Sequence, residues 1–221
     1  MDRPGIFERL RRKSVGVKIC GITNPEDAEM CIAAGADALG FNFYSGSKRF
    51  IDLADARPWL KDVSSTVLRV AVMVNPTLEE ASLILDEPFI DAIQLHGEES
   101  LDFCGNLSRT TGKIVVKAMR VSDLASLKNA EKFSEFPILL DAFSAGERGG
   151  TGHTFDWKLL ESLASTSGII LSGGLKSDNV REAIIQTGVC YVDVASGVES
   201  DPRRKNREKV FDLIFETRRT G

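Results

Sequence analysis

Cys20 ends the short apolar run Val17–Cys20, immediately before Gly21, and Asp141 follows the apolar run Phe136–Leu140. A thiol and a carboxyl group at the ends of two well-separated strands could be the two partners of general acid–base catalysis, one removing a proton and the other supplying it. A free thiol ionises near ~8.5, so a base at neutral pH needs its thiolate stabilised. Partial burial of Asp141 would raise its pKa and keep it protonated for the acid role.

Other residue types surround this pair. Arg49, in Ser45-Gly46-Ser47-Lys48-Arg49, has the planar fork that binds a carboxylate through two hydrogen bonds. His96 follows Gln94 by two positions and shares its direction on an extended strand, so it could serve the site or only hydrogen-bond within it. Two glycine-rich segments, Ser172-Gly173-Gly174-Leu175 and Ala195-Ser196-Gly197-Val198-Glu199, would let backbone N–H groups approach an anion closely. Asp193 alternates inward with Lys18, and the two would pair because an uncompensated buried charge is costly. His153 is given no role.

These residues need a frame. Short apolar runs at Val17–Cys20, Asp37–Phe43, Leu68–Val74, Asp91–Leu95, Ile114–Ala118, Phe136–Leu140, Gly168–Leu171 and Cys190–Val194 alternate with amphipathic stretches. Asn24-Pro25 starts a helix that stops at Gly35, and Thr77 with Glu80 forms a capping box. The spacing predicts further helices over Asp52–Lys61, where Pro58 intrudes, Glu98–Ser108, Asp123–Asn129, Phe155–Ala164 and Asn206–Arg218. One more, capped by Ser177-Asp178-Asn179, runs to Gln186. Strands and helices in strict alternation predict an α/β fold, a single (β/α)₈ TIM barrel over residues 15–221, with a doubly wound open sheet as the competitor. In such a barrel the C-terminal strand ends form the site, and the loops after strands 7 and 8 commonly bind phosphate. Residues 1–14 form a loose basic arm or a short extra turn around Ile6, Phe7 and Leu10.

Composition narrows the function classes. A net charge of −4 weighs against nucleic acid as a partner. No apolar run reaches the roughly 18 residues of a membrane helix, and the basic arm lacks the apolar core of a signal peptide. The four cysteines, Cys20, Cys31, Cys104 and Cys190, form no zinc pattern, and scattered thiols suit a cytoplasmic, reducing compartment. With two histidines in 221 residues, no metal site is expected.

The motifs, taken in order, resemble the phosphoribosylanthranilate isomerase family from about residue 17 to 218. The resemblance is carried by Val17-Lys18-Ile19-Cys20-Gly21-Ile22-Thr23, Gly35–Phe41, Ser47–Arg49, Gln94-Leu95-His96-Gly97-Glu98, Leu140-Asp141, Gly149-Gly150-Thr151-Gly152, Phe155–Trp157, Leu171–Leu175 and Val192–Glu199. It implies a cofactor-free Amadori rearrangement of a phosphorylated aminosugar in tryptophan biosynthesis. It further implies Cys20 as general base, Asp141 as general acid, Arg49 on the anthranilate carboxylate, and the loops around Gly173, Gly174, Ser196 and Gly197 on the phosphate. His96, Asp193 and Gly150 join the expected substrate-binding set. Ser45-Gly46, Asn42 and Ala195 depart from the usual pattern, where Pro-Lys, an apolar residue and Ser are frequent. A homo-oligomer is compatible with the sequence.

Two other readings compete. The histidine-pathway aminosugar isomerase uses two carboxylates, against which Cys20 weighs. A non-catalytic phosphate-binding barrel would need the two glycine loops without Cys20, Asp141 and Arg49 together.

Overall fold

The computed structural model describes residues 15–142, 156–163 and 165–220. The basic arm, Gly150 and His153 lie outside the described residues.

Eight parallel strands close into a barrel in sequence order: β1 Gly16–Cys20, β2 Ala38–Asn42, β3 Leu68–Met73, β4 Ala92–Leu95, β5 Ile114–Val121, β6 Ile138–Ala142, β7 Ile169–Leu171 and β8 Tyr191–Val194. β1 pairs with β8 through Lys18↔Asp193, which closes the ring. Helices follow the strands: α1 Pro25–Ala34, α2 Leu53–Leu60, α3 Leu78–Leu85, α4 Leu101–Thr111, α5 Leu124–Glu131, α6 Val180–Thr187 and α7 Arg207–Arg218. A 3₁₀ helix, Trp157–Ser162, stands between β6 and β7.

Strand alternation separates two apolar cores. Ala38, Leu68, Val70, Ala92, Val116, Ala118, Leu139, Ile170 and Tyr191 fill the barrel interior. Ile19, Leu39, Phe41, Ile93, Leu95, Leu140 and Val192 point the other way and pack under the helices. Several side chains that continue the interior rows upward are polar or reactive: Cys20, Gln94, Arg120, Asp141, Ser172 and Asp193.

Local chemistry sets the helix starts. The Asn24, Asp52, Thr77, Ser100, Asp123 and Asn206 side chains accept backbone N–H groups of the first turn. α2 matches the expected span and continues through Pro58 to Leu60. Two other helix starts depart from the sequence-based expectation. α4 begins at Leu101 rather than Glu98, because residues 97–99 serve an ion-pair network instead. Asn179 precedes α6 without capping it; its amide donates to the Gly174 carbonyl at 3.0 Å and its oxygen accepts from Lys176 N at 2.8 Å. The side chain thus braces the loop after β7.

Candidate active site

Cys20 is the last residue of β1 and points into the barrel mouth. Gly40 of β2 faces it so closely that a Cβ there would stand 2.8 Å from Cys20 Sγ and 2.9 Å from Lys18 Nζ. Beneath the thiol, Lys18 Nζ donates to Asp193 Oδ1 at 2.7 Å, both side chains being buried. Ser172 Oγ reaches the other oxygen, Asp193 Oδ2, at 3.5 Å. Burial pushes the Cys20 thiol pKa up, and the Asp193 carboxylate adds to that shift, while Lys18 and Lys205 oppose it. Lys18 itself titrates above the usual lysine range: burial works against its charge, but Asp193 and Cys20 outweigh it.

Asp141 lies across the barrel on β6 and is 3% exposed. His96, just after β4, brings Nε2 to 3.5 Å from Asp141 Oδ2, and Gln94 Nε2 lies 3.4 Å from His96 Nδ1. Arg120 of β5 is in register with Asp141. Gln94 Oε1, His96 Nε2 and Arg120 Nη2 are buried without hydrogen-bond partners. Three orphaned polar atoms beside one carboxyl group make a wall suited to a polar ligand.

Arg49 reaches the same mouth from the loop after β2. Asn42 shapes that loop: its amide donates to Ser47 Oγ at 2.9 Å, and its oxygen accepts from Tyr44 N at 3.2 Å. Ser47 Oγ in turn accepts from Arg49 N at 3.1 Å. The guanidinium makes a two-pronged pair with Glu199, Nε to Oε1 at 2.7 Å and Nη2 to Oε2 at 2.6 Å.

The two glycine loops adjoin. Gly173 and Gly174 have φ of +88° and +64°, conformations that disfavour side chains. Gly197 lies in a short 3₁₀ turn, Ser196–Val198, where a Cβ would stand 1.9 Å from the Leu175 carbonyl oxygen. So the loops after β7 and β8 pack backbone to backbone only because Gly197 is glycine.

Sequence reasoning overlooked several participants. Arg120 was hidden because β5 was predicted to end at Ala118, whereas it runs to Val121. Lys117, pointing outward, is buried against Glu99 at 2.7 Å, and Glu99 also accepts from Asn75 N and Gly97 N. This network fixes the loop that carries His96. A further hairpin, β9 Glu199–Asp201 with β10 Arg204–Lys205, follows β8. An acidic residue ending the Val192–Glu199 motif was the available signal for Glu199; Lys205 carried none. Among the described residues, no group of three His, Cys, Asp or Glu side chains converges to hold a metal.

Comparison with known proteins places this arrangement. Residues 17–216 match the model of the family described as N-(5′-phosphoribosyl)anthranilate (PRA) isomerase. The chain is 42% identical over 201 residues to the N-(5′-phosphoribosyl)anthranilate isomerase of Thermotoga petrophila, covering 90% of this chain and 97% of that one. The crystal structure of phosphoribosyl anthranilate isomerase from Thermotoga maritima superposes with a TM-score of 0.85 at 40% identity, covering 92% of this chain and 98% of that one. Another, solved with reduced 1-(o-carboxyphenylamino)-1-deoxyribulose 5-phosphate, superposes with a TM-score of 0.80 at 38% identity over the same shares of the two chains.

Proposed function

The chain belongs to the N-(5′-phosphoribosyl)anthranilate isomerase family, and we propose that it carries out the isomerisation of tryptophan biosynthesis with Cys20 as general base and Asp141 as general acid. The observation that supports these roles is their placement: one inward thiol and one inward carboxyl group at the C-terminal ends of β1 and β6 of a closed barrel. The family match sets aside the histidine-pathway isomerase and the non-catalytic barrel.

The chemistry follows from the two groups. Asp141 gives its proton to the furanose ring oxygen, and the anilino nitrogen supplies the electron pair that opens the ring to an imine. The imine acidifies the C2′ hydrogen, which Cys20 removes as thiolate from the other side. Protonation at C1′ and loss of the enol proton complete the Amadori rearrangement to the 1-deoxyribulose 5-phosphate. Lys18, in contact with the thiol, offsets part of the rise in its pKa that burial causes. Gln94, His96 and Arg120 offer an acceptor and donors to sugar hydroxyls beside Asp141.

Substrate binding divides between two ends. Arg49 receives the anthranilate carboxylate. The backbone around Gly173, Gly174, Ser196 and Gly197 receives the phosphate, and the left-handed glycines and the close loop packing support that assignment. Asp193 acts from below through Lys18. A cytoplasmic location goes with this reading; no helix of the described residues is long and apolar enough to cross a membrane.

Decay of anthranilate fluorescence, with substrate generated enzymatically, tests the function. Turnover above the uncatalysed rate is expected. A rate equal to that with protein omitted would overturn the reading.

A further inference from the structure

We propose that Glu199 is a positioning residue for substrate recognition: held by Lys205, it fixes the Arg49 guanidinium in the orientation that meets the substrate's aromatic carboxylate. This inference rests on the carboxylate role assigned to Arg49 above.

An arginine side chain has many rotamers, and a ligand that must order it binds more weakly. Here the ordering is built in. Arg49 and Glu199 meet edge to edge through Nε–Oε1 and Nη2–Oε2 at 2.7 and 2.6 Å, with their side chains only 12% and 5% exposed. This pair decides which way the other edge of the guanidinium, built on Nη1, is turned. The aliphatic stem is fixed as well. It crosses Gly21, whose φ is +79°, so closely that a Cβ there would stand 2.2 Å from Arg49 Cδ. Gly21 directly follows Cys20, so clamp and base share one short stretch of backbone.

Glu199 is held in turn. Lys205 Nζ donates to Glu199 Oε1 at 2.8 Å, to the Cys20 carbonyl at 2.6 Å and to the Ala195 carbonyl at 3.3 Å. Its backbone N–H donates to Asp27 Oδ2 at 2.9 Å. β9 and β10 set this geometry, because Glu199 and Lys205 are register partners. One buried ammonium therefore ties the clamp to the end of β1 and to the start of the loop after β8. Burial opposes ionisation of Glu199, but Arg49 and Lys205 together hold its pKa below the usual glutamate range. Arg49 and Lys205 thus both face the one Glu199 carboxylate.

The test is a double-mutant cycle on the full chain, following anthranilate fluorescence. In the wild type, Glu199→Gln should raise KM by about tenfold, the effect of one charge-assisted hydrogen bond, and change kcat less. In an Arg49→Ala background the same substitution should change KM by less than about twofold, since its route to the substrate is gone. Should Glu199→Gln fail to fold, as judged by circular dichroism, Glu199→Asp keeps the charge beside Lys205, shortens the reach to Arg49 and supports the same comparison. Equal KM effects in the two backgrounds overturn this inference alone. Absence of turnover by the wild type overturns it together with the functional reading.

Discussion

Gly40 and Cys20 face each other across the β1–β2 pairing, and the thiol occupies the space that any side chain at position 40 would need. A Cβ at Gly40 would lie 2.8 Å from Cys20 Sγ, 2.9 Å from Lys18 Nζ and 3.1 Å from Cys20 Cα. Gly40→Ala must therefore displace the base or its neighbouring cation. We expect kcat to fall well below the wild type while KM changes little, because neither Arg49 nor the glycine loops move. Overpacking of this kind costs about 1–3 kcal/mol. Steady-state kinetics beside urea unfolding measures both effects; a fully active variant would show that the thiol is not held where proton transfer needs it.

The pH dependence should carry the signature of the Lys18–Asp193 pair. Burial raises the Cys20 pKa, so thiolate, and with it kcat/KM, increases as pH rises through a value above the ordinary thiol range. Asp193 also raises that pKa and Lys18 lowers it. Hence Asp193→Asn should move the acidic limb of the profile to lower pH, and Lys18→Met should move it to higher pH. Profiles of the free enzyme for both variants check the signs. Shifts in the same direction would separate the limb from Cys20.

Stability should depend on the buried pair that braces the loop carrying His96. Lys117 and Glu99 are each 2% exposed at the side chain and meet at 2.7 Å. Removing one partner of a buried pair strands the other, which costs about 3–5 kcal/mol. Glu99→Gln should therefore lower the unfolding free energy at pH 7 by that amount. Burial works to raise the Glu99 pKa, but Lys117 and backbone N–H groups hold it below the usual glutamate range. Its contribution is complete above the unfolded value and disappears as pH falls through the lowered folded value. Wild type and variant should thus converge in stability in acid. An equal difference at pH 7 and in strong acid would assign the loss to packing instead.

The barrel was legible because each buried strand writes a short apolar run and the caps Asn24 and Thr77 announce the following helices. Cys20, Asp141 and the Lys18–Asp193 pairing were legible through period-two alternation and the adjacency of the first and last strands. The fate of Asn179 was not, since its side chain bonds to Gly174 and Lys176 across a loop whose conformation no local pattern encodes. Lys205 was illegible for the same reason: its partners lie on Cys20 and Ala195, brought near only by barrel closure. Glu98 and Glu99 look like a helix start, yet Glu99 is drawn away by Lys117, 18 positions along the chain.

The central claim is that Asp141 transfers a proton rather than only organising the mouth. Asp141→Asn keeps the shape of the side chain and its place beside His96 but has no transferable proton. Its kcat at saturating substrate, measured across pH by anthranilate fluorescence, is the most direct measurement. A fall of at least ~10²-fold with KM close to the wild type is expected from loss of a general acid. An unchanged kcat would contradict the account.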